Sequence, residues 1–366
     1  MTEGPRLQIV GAGLLGTSIG LALARSTWQV WICDVDAGAE SLASELGAGS
    51  RGWAPDEPDL VVLAVPPMAT AQVMDKVTRL FPNATVSDVA SIKTQPQLHA
   101  QRSGLEERFV GGHPMAGRER SGAAAAQGDL FDARPWAVCA SPSVDPERVE
   151  IVMRLAMDCG ADPVRVDAAT HDAAVALVSH LPHVAACAVA GQLPSADPIA
   201  MTLAGQGLRD TVRVAGSDPR LWSEILDGNA QALEPLVRRL ATEMGELAEA
   251  LARLANTQSS QESPKDREVD KTIKRFLESG RRGYRQIPGK HGAPATEYSV
   301  IPVVIPDEPG ALARLFTTVA KAGASVEDIS LEHSPGHPVG IIELSVHPDQ
   351  ADALVGALQA DGWPHH

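Results

Sequence analysis

The spacing of hydrophobic positions changes three times along the chain. Up to about residue 168, short apolar runs alternate with stretches whose apolar positions recur every three or four residues. The runs are "RLQIV" (6–10), "QVWIC" (29–33), "LVVLAV" (60–65), "ATVSDV" (84–89), "RFVGGH" (108–113), "PWAVCA" (135–140) and "DPVRV" (162–166). Continuous apolar strands separated by helical patterns predict an α/β domain over 1–168. Its doubly wound parallel sheet would be buried on both faces. From 169 to 256 the strand signals stop, and broad Ala-rich faces at helical spacing predict an all-helical domain. Residues 257–298 are polar and charged and read as a linker with one short helix, "REVDKTIKRFLES". Residues 299–366 read strand, DEPG loop, helix, strand, turn, strand, helix, a ferredoxin-like α+β order. After "DGWPHH" the last strand of such a unit is expected to be short or missing.

Composition narrows the function classes. The chain has 366 residues, 44% of them hydrophobic but only 4% aromatic, so Ala, Val and Leu must fill the cores. A formal charge of -15 argues against nucleic-acid binding, which needs a basic surface. A few local arginines would still suffice for a small anion. Cys33, Cys139, Cys159 and Cys187 form no CxxC pair and are expected to be buried thiols in a reducing compartment. No signal peptide or membrane-length apolar run is read, so no membrane is expected and a cytoplasmic location follows.

The first strand runs into "GAGLLG". Gly11, Gly13 and Gly16 give GxGxxG between a strand and a helix, with a second strand after it. Gly11 permits the tight turn, Gly13 lets backbone approach a pyrophosphate, and Gly16 lets helix pack on strand. This context predicts a Rossmann-like domain. Asp34 ends the second strand, where a carboxylate accepts from ribose hydroxyls and repels a 2′-phosphate, so NAD is favoured over NADP. Asp36 is a rival for that role. Leu14, Leu15, Val65 and Pro66 complete the expected cofactor contacts.

Ligands of such sheets sit beyond the carboxyl ends of strands. Pro66–Pro67, Ser91–Lys93 and His113 fall there. No lysine occurs between Lys93 and Lys265, which leaves His113 as the acid–base candidate. His180 and His183 have HxxH spacing, and His171–Asp172 is a metal-type pair. In an unbroken helix, however, His171 and His180 would point in opposite directions, and Pro182 perturbs the turn between His180 and His183. Core or substrate-facing histidines are preferred, and no metal is expected. Arg209, Asp210 and Arg213 form either a surface ion pair or a guanidinium fork for a carboxylate.

Residues 6 to about 255 resemble prephenate dehydrogenase through "DVASIKT", "GGHPMAGRE", "SHLPH" and "GLRDTVRVAGSDPRLW". Residues 299–366 resemble an ACT domain. The resemblance implies NAD-dependent oxidative decarboxylation of prephenate in a homodimer, with feedback by an allosteric tyrosine through the ACT-like unit. It implies that His113 takes the proton of the substrate hydroxyl and that Ser91 assists there. Arg213 would bind a substrate carboxylate. Glu119 and Asp210 would form a polar gate with Trp222 nearby, and His180 and His183 would line the pocket. Arogenate dehydrogenase is the near alternative, and a non-catalytic NAD- and tyrosine-responsive sensor is the distant one.

Overall fold

The computed structural model describes residues 4–117, 121–258, 271–287, 298–333 and 338–364. They form two compact units, Met1–Leu240 and Ala241–His366.

In the first unit, strands β1 (Arg6–Val10), β2 (Gln29–Cys33), β3 (Ser50–Arg51), β4 (Leu60–Leu63), β5 (Thr85–Asp88), β6 (Phe109–Pro114), β7 (Pro135–Ala140) and β8 (Asp162–Arg165) make one sheet. Helices α1 (Leu14–Leu23), α2 (Ala37–Glu45), α3 (Pro67–Leu80), α4 (Thr94–Arg102) and α5 (Pro146–Asp158) alternate with them. The strand order is β3-β2-β1-β4-β5-β6-β7-β8. Successive residues of the central strands feed opposite faces. Leu7, Ile9, Leu60 and Val62 pack into one core, Val61, Leu63, Val86 and Phe109 into the other. Each fully buried aliphatic side chain contributes about 1.5–3 kcal/mol.

The sheet is not wholly parallel, which corrects the expectation. β6 and β7 are antiparallel, while every other neighbouring pair is parallel. A parallel return needs a crossover to the far end of the sheet. Here the chain after β6 comes back at the same end, and Met115 N–H donates to Pro135 O at 2.8 Å. The two-residue strand β3 carries no period and was not expected.

Helices α6 (Ala168–Val175) and α7 (Leu181–Ala190) are joined without a break by a π-turn over Ala176–His180. Pro182 explains it: proline lacks the N–H and its ring collides with the carbonyl four residues back, and one wider turn absorbs both defects. The continuous run Ala168–Ser195 is long and apolar enough to cross a membrane, by length and composition only: an 18-residue window of it has mean hydropathy 1.7, with 28% of that window buried. That also corrects the sequence expectation, because isolated His and Ser residues interrupt the apolar run without lowering its average enough. Helices α8 (Pro198–Thr202), α9 (Gln206–Val212), α10 (Pro219–Gly228) and the long α11 (Ala230–Gln258) follow. Cys33, Cys139 and Cys159 are buried, and burial pushes their thiols up, to about 12 for Cys33 and Cys139. Cys187 is exposed on α7, contrary to expectation.

In the second unit, helix α12 (Lys271–Tyr284) runs on past the pattern "REVDKTIKRFLES" and takes in "RRGY". Beyond it, β9 (Ser299–Pro306), α13 (Ala311–Lys321), β10 (Val326–His333), β11 (Val339–Val346) and α14 (Pro348–Ala360) follow the expected order. The antiparallel sheet runs β10-β11-β9. In place of a fourth strand, Val304 N–H donates to Pro364 O at 2.8 Å on the outer side of β9.

Candidate active site

The turn between β1 and α1 is shaped for a dinucleotide. Gly11 has φ +111°, and a Cβ there would lie 2.2 Å from Ala64 O. Nothing lies within 4 Å of a Cβ at Gly13, so that position faces open space. A phosphate could approach the backbone there, at the N-terminus of α1. Asp34 braces the turn: its carboxylate accepts from Ala12 N–H at 2.6 Å and from Asp36 N–H at 2.8 Å. Asp36 instead caps α2 by accepting from Gly38 N–H at 2.8 Å. Gly11, Gly13, Asp34, Val65 and Pro66 all line a cavity of about 510 Å³ beside this turn. Leu14, Leu15 and Gly16 are not in its wall. Leu14 and Leu15 open α1, and Gly16 is buried where a Cβ would lie 2.0 Å from Gly11 O.

His113 sits at the end of β6, where two buried charges fix its backbone. Lys93 Nζ donates to both Asp88 carboxylate oxygens at 2.5 Å and to Gly112 O at 2.6 Å. Asp88 in turn accepts from Gly112 N–H at 3.0 Å. The peptide groups on either side of the residue before His113 are thus held by one ion pair. Gly112 must remain glycine, since a Cβ would lie 2.6 Å from Asp88 O.

The imidazole of His113 joins a hydrogen-bonded chain. Its Nδ1 lies 2.8 Å from His171 Nε2, and His171 Nδ1 lies 2.8 Å from Asp172 Oδ1. The same carboxylate accepts the N–H groups of Lys93 and Thr94 at 2.8 Å each, at the start of α4. The tautomers follow from the partners. A carboxylate only accepts, so His171 carries its proton on Nδ1 and presents a lone pair at Nε2. His113 must then donate from Nδ1, which leaves its Nε2 lone pair bare. Burial, the Lys93 ammonium and the neighbouring histidines hold His113 well below the usual imidazole range. It is therefore neutral at pH 7. Burial pushes the Asp172 carboxyl up, but hydrogen bonds from His171, Thr94 and Lys93 outweigh it and leave it lowered.

The π-turn brings His180 into the same cluster. Each of its residues advances by less than the about 100° of an α-helix, so His171 and His180 no longer oppose each other. Asn229 Nδ2 donates to Asp172 O at 2.8 Å and contacts His180 Nδ1 at 3.1 Å. His183 stacks flat on Trp222, centroids 3.4 Å apart and planes 3° off parallel. Trp222 also meets His180 edge-on at 6.0 Å. The buried Nδ1 of His183 makes no hydrogen bond. Burial lowers both His180 and His183.

The structure thus gathers His113, His180, His183 and Trp222. Ser91 is half-buried in the turn before Lys93, and no described hydrogen bond ties it to the cluster. Arg213 is exposed and opens a tight turn, Arg213–Gly216, that packs on α7. Asp210 is exposed and accepts from Gln206 Nε2 at 2.8 Å. Glu119 lies outside the described residues. Sequence reasoning missed the parts played by Asp172, Asn229 and the Asp88–Lys93 pair. Asp172 was visible only as half of a metal-type pair. Asn229 follows α10 and looks like an ordinary helix end.

The chain is similar to known proteins over most of its length. The family described as "Prephenate dehydrogenase, nucleotide-binding domain" matches residues 19–165, its "dimerization domain" matches 167–263, and "ACT domain" matches 299–356. "Probable prephenate dehydrogenase NovF" of Streptomyces niveus is 34% identical over 97% of this chain and 98% of its own. Prephenate dehydrogenase of Bacillus subtilis is 26% identical over 93% and 92%. Among solved structures, Aquifex aeolicus prephenate dehydrogenase in complex with hydroxyphenyl propionate and NAD+ is 25% identical, with TM-score 0.66 over 77% of this chain and 98% of that one. Synechocystis arogenate dehydrogenase, also 25% identical, gives 0.60 over 76% and 99%. The chain belongs to the prephenate dehydrogenase family and carries an ACT domain.

Proposed function

We infer that this protein is an NAD-dependent prephenate dehydrogenase, converting prephenate to 4-hydroxyphenylpyruvate and carbon dioxide, with His113 as its base. The observation that carries this assignment is the Asp172–His171–His113 chain, which leaves His113 Nε2 neutral and unprotonated. Gly11, Gly13, Asp34, Val65 and Pro66 would hold NAD, which when bound takes the hydride from the carbon bearing the substrate hydroxyl. His113 Nε2 takes the hydroxyl proton, and Ser91 hydrogen-bonds the same oxygen. The charge that forms on His113 strengthens its Nδ1–H bond to His171, backed by Asp172. The ring carboxylate then leaves as carbon dioxide, and its bonding pair aromatises the ring to a phenolate. His113 returns its proton to that oxygen, so the base ends the turnover as it began. Arg213 holds a substrate carboxylate, with Asp210 three residues before it in the chain. His180, His183 and Trp222 form the ring's wall, which is catalysis by positioning.

Formation of NADH, followed by absorbance, tests the assignment with prephenate and arogenate, each with NAD and NADP. Prephenate with NAD is expected to be the productive pair; no NADH from it would refute the proposal. His171→Phe keeps an aromatic ring but cannot accept from His113 Nδ1. It is expected to lower kcat at least about tenfold, as loss of an orienting partner does for other catalytic histidines. The NAD Kd should stay as it was. An unchanged kcat would remove His171 from the chain of bonds.

Three finer points belong to the same proposal. The helical half pairs with a second copy through its exposed apolar side chains, among them Leu177, Val178, Val189 and Leu203. Light scattering at twice the chain mass checks this. The enzyme works in the cytoplasm: the apolar run over 168–195 turns its polar residues His171, Asp172 and His180 into the active site rather than spanning a bilayer. Tyrosine binds at the DEPG loop of the ACT domain, where Asp307, Glu308, Gly310 and Leu331 line a cavity of about 400 Å³. Loss of tyrosine inhibition in a Gly310→Val protein that keeps its turnover would bear this out.

A further inference from the structure

The cofactor cavity has a wall that the Gly-rich turn and Asp34 do not explain. Trp53, Lys76 and Arg79 line it together with Asp34 and Val65. Trp53 follows β3 on a short loop, a place where an aromatic residue usually drifts, yet this loop is bolted down. The bolt is Gln8, a fully buried amide in the middle of β1. Its Oε1 accepts from Ala54 N–H at 2.7 Å, and its Nε2 donates to Gly52 O at 3.4 Å. Gly52 N–H also donates to Ile32 O at 2.9 Å. The residues on both sides of Trp53 are therefore tied to the strands beside the Gly-rich turn. A buried glutamine is costly unless its bonds are made, and two of those it makes hold this loop.

The indole is held as a plate. It leans on Phe81, with ring centroids 6.1 Å apart and planes at 48°. The Lys76 ammonium stands 4.9 Å from its centroid. Trp53 is still 36% exposed. A face that a flexible cation reaches from the cavity is also open to a flat heteroaromatic ring. Lysine's long stem lets the ammonium swing aside toward the ribose as the ring comes in. Lys76 also lies close enough to act electrostatically on Cys33, the neighbour of Asp34.

We propose that Trp53 is the residue on which the adenine of the cofactor stacks, and that Lys76 is the cation beside the adenosine ribose. Asp34 is then the group that turns a 2′-phosphate away from a cavity otherwise supplied with positive charge by Lys76 and Arg79.

Titration of the full chain with AMP, which carries only the adenosine end, tests this without catalysis. Calorimetry and tryptophan fluorescence are the readouts. Trp53→Ala is expected to weaken AMP and NAD on the order of tenfold, the size of one lost base–aromatic stack. Trp53→Phe should stay within about threefold of the parent, since Phe keeps a stacking face. It should also abolish the fluorescence response to AMP. Unchanged affinity in Trp53→Ala, or equal losses in both variants with thermal melting unaltered, would overturn the stack. For Lys76, the background is Asp34→Asn, which should raise affinity for 2′,5′-ADP. Adding Lys76→Met should take that gain away. A gain that survives the second substitution would overturn the role of Lys76.

Discussion

Replacing His113 with asparagine is expected to lower kcat by about 100- to 10,000-fold, the range for loss of a positioned base. NAD binding should be left almost as it was. Asparagine can still donate toward His171 Nε2, so the strand end and its neighbours keep their bonds. It cannot take a proton from an alcohol. The cavity beside the Gly-rich turn does not include His113, so calorimetric NAD affinity should be insensitive. The pH profile of the parent enzyme supplies a second check. Burial and the Lys93 charge hold His113 well below the ordinary imidazole range. Protonation removes the base, so kcat/KM should fall only on the acid side, at a pH below that range, and stay level through neutrality on that limb. An acid limb centred at or above pH 6.5 would mean the His113 imidazole is not the titrating group. NAD binding lost with turnover intact would contradict its role outright.

Lys93→Met is expected to be the most damaging single change to the fold. Lys93 and Asp88 are each only 1% exposed. Removing one partner leaves the other charged in an apolar interior, a loss of about 3–5 kcal/mol. Denaturant unfolding would register it as a lower midpoint at an unaltered slope. Turnover should also drop in whatever fraction remains folded, because the pair grips both sides of Gly112 and so aims His113. Removing both charges in Lys93→Met/Asp88→Leu should recover part of the stability but not the turnover. A loss under about 1 kcal/mol in the single variant would mean that water reaches the pair.

Much of this architecture is legible in the chain, for identifiable reasons. The Gly-rich turn is read correctly because glycine is demanded by geometry at Gly11 and by close packing at Gly16. His113 falls at the end of β6, as the pattern predicts, because the apolar run before it marks a strand. What the sequence hides is whatever depends on partners distant along the chain. The reversal of β7 is set by a loop that folds back, and no local period records it. Asp172 reads as half of a metal-type pair and Asn229 as an ordinary helix end until the fold bonds one to the other. Lys93 falls at a strand end as His113 does, and only the fold shows that Asp88 and Gly112 already occupy its ammonium. The perturbing proline at 182 is legible in the chain, but not its result, a widened turn that swings His180 toward His171.

That widened turn amounts to one residue more than a regular helix would need between Ala176 and His180. Suppose instead that the segment, at its present length, relaxed into the tighter coil that the backbone prefers. Everything after it would turn by about 100° about the axis. His183 would leave its seat on Trp222, and the apolar stripe after it would face elsewhere. The widened turn therefore sets a helix phase that a regular coil of the same length would lose, even where that coil would be the steadier one.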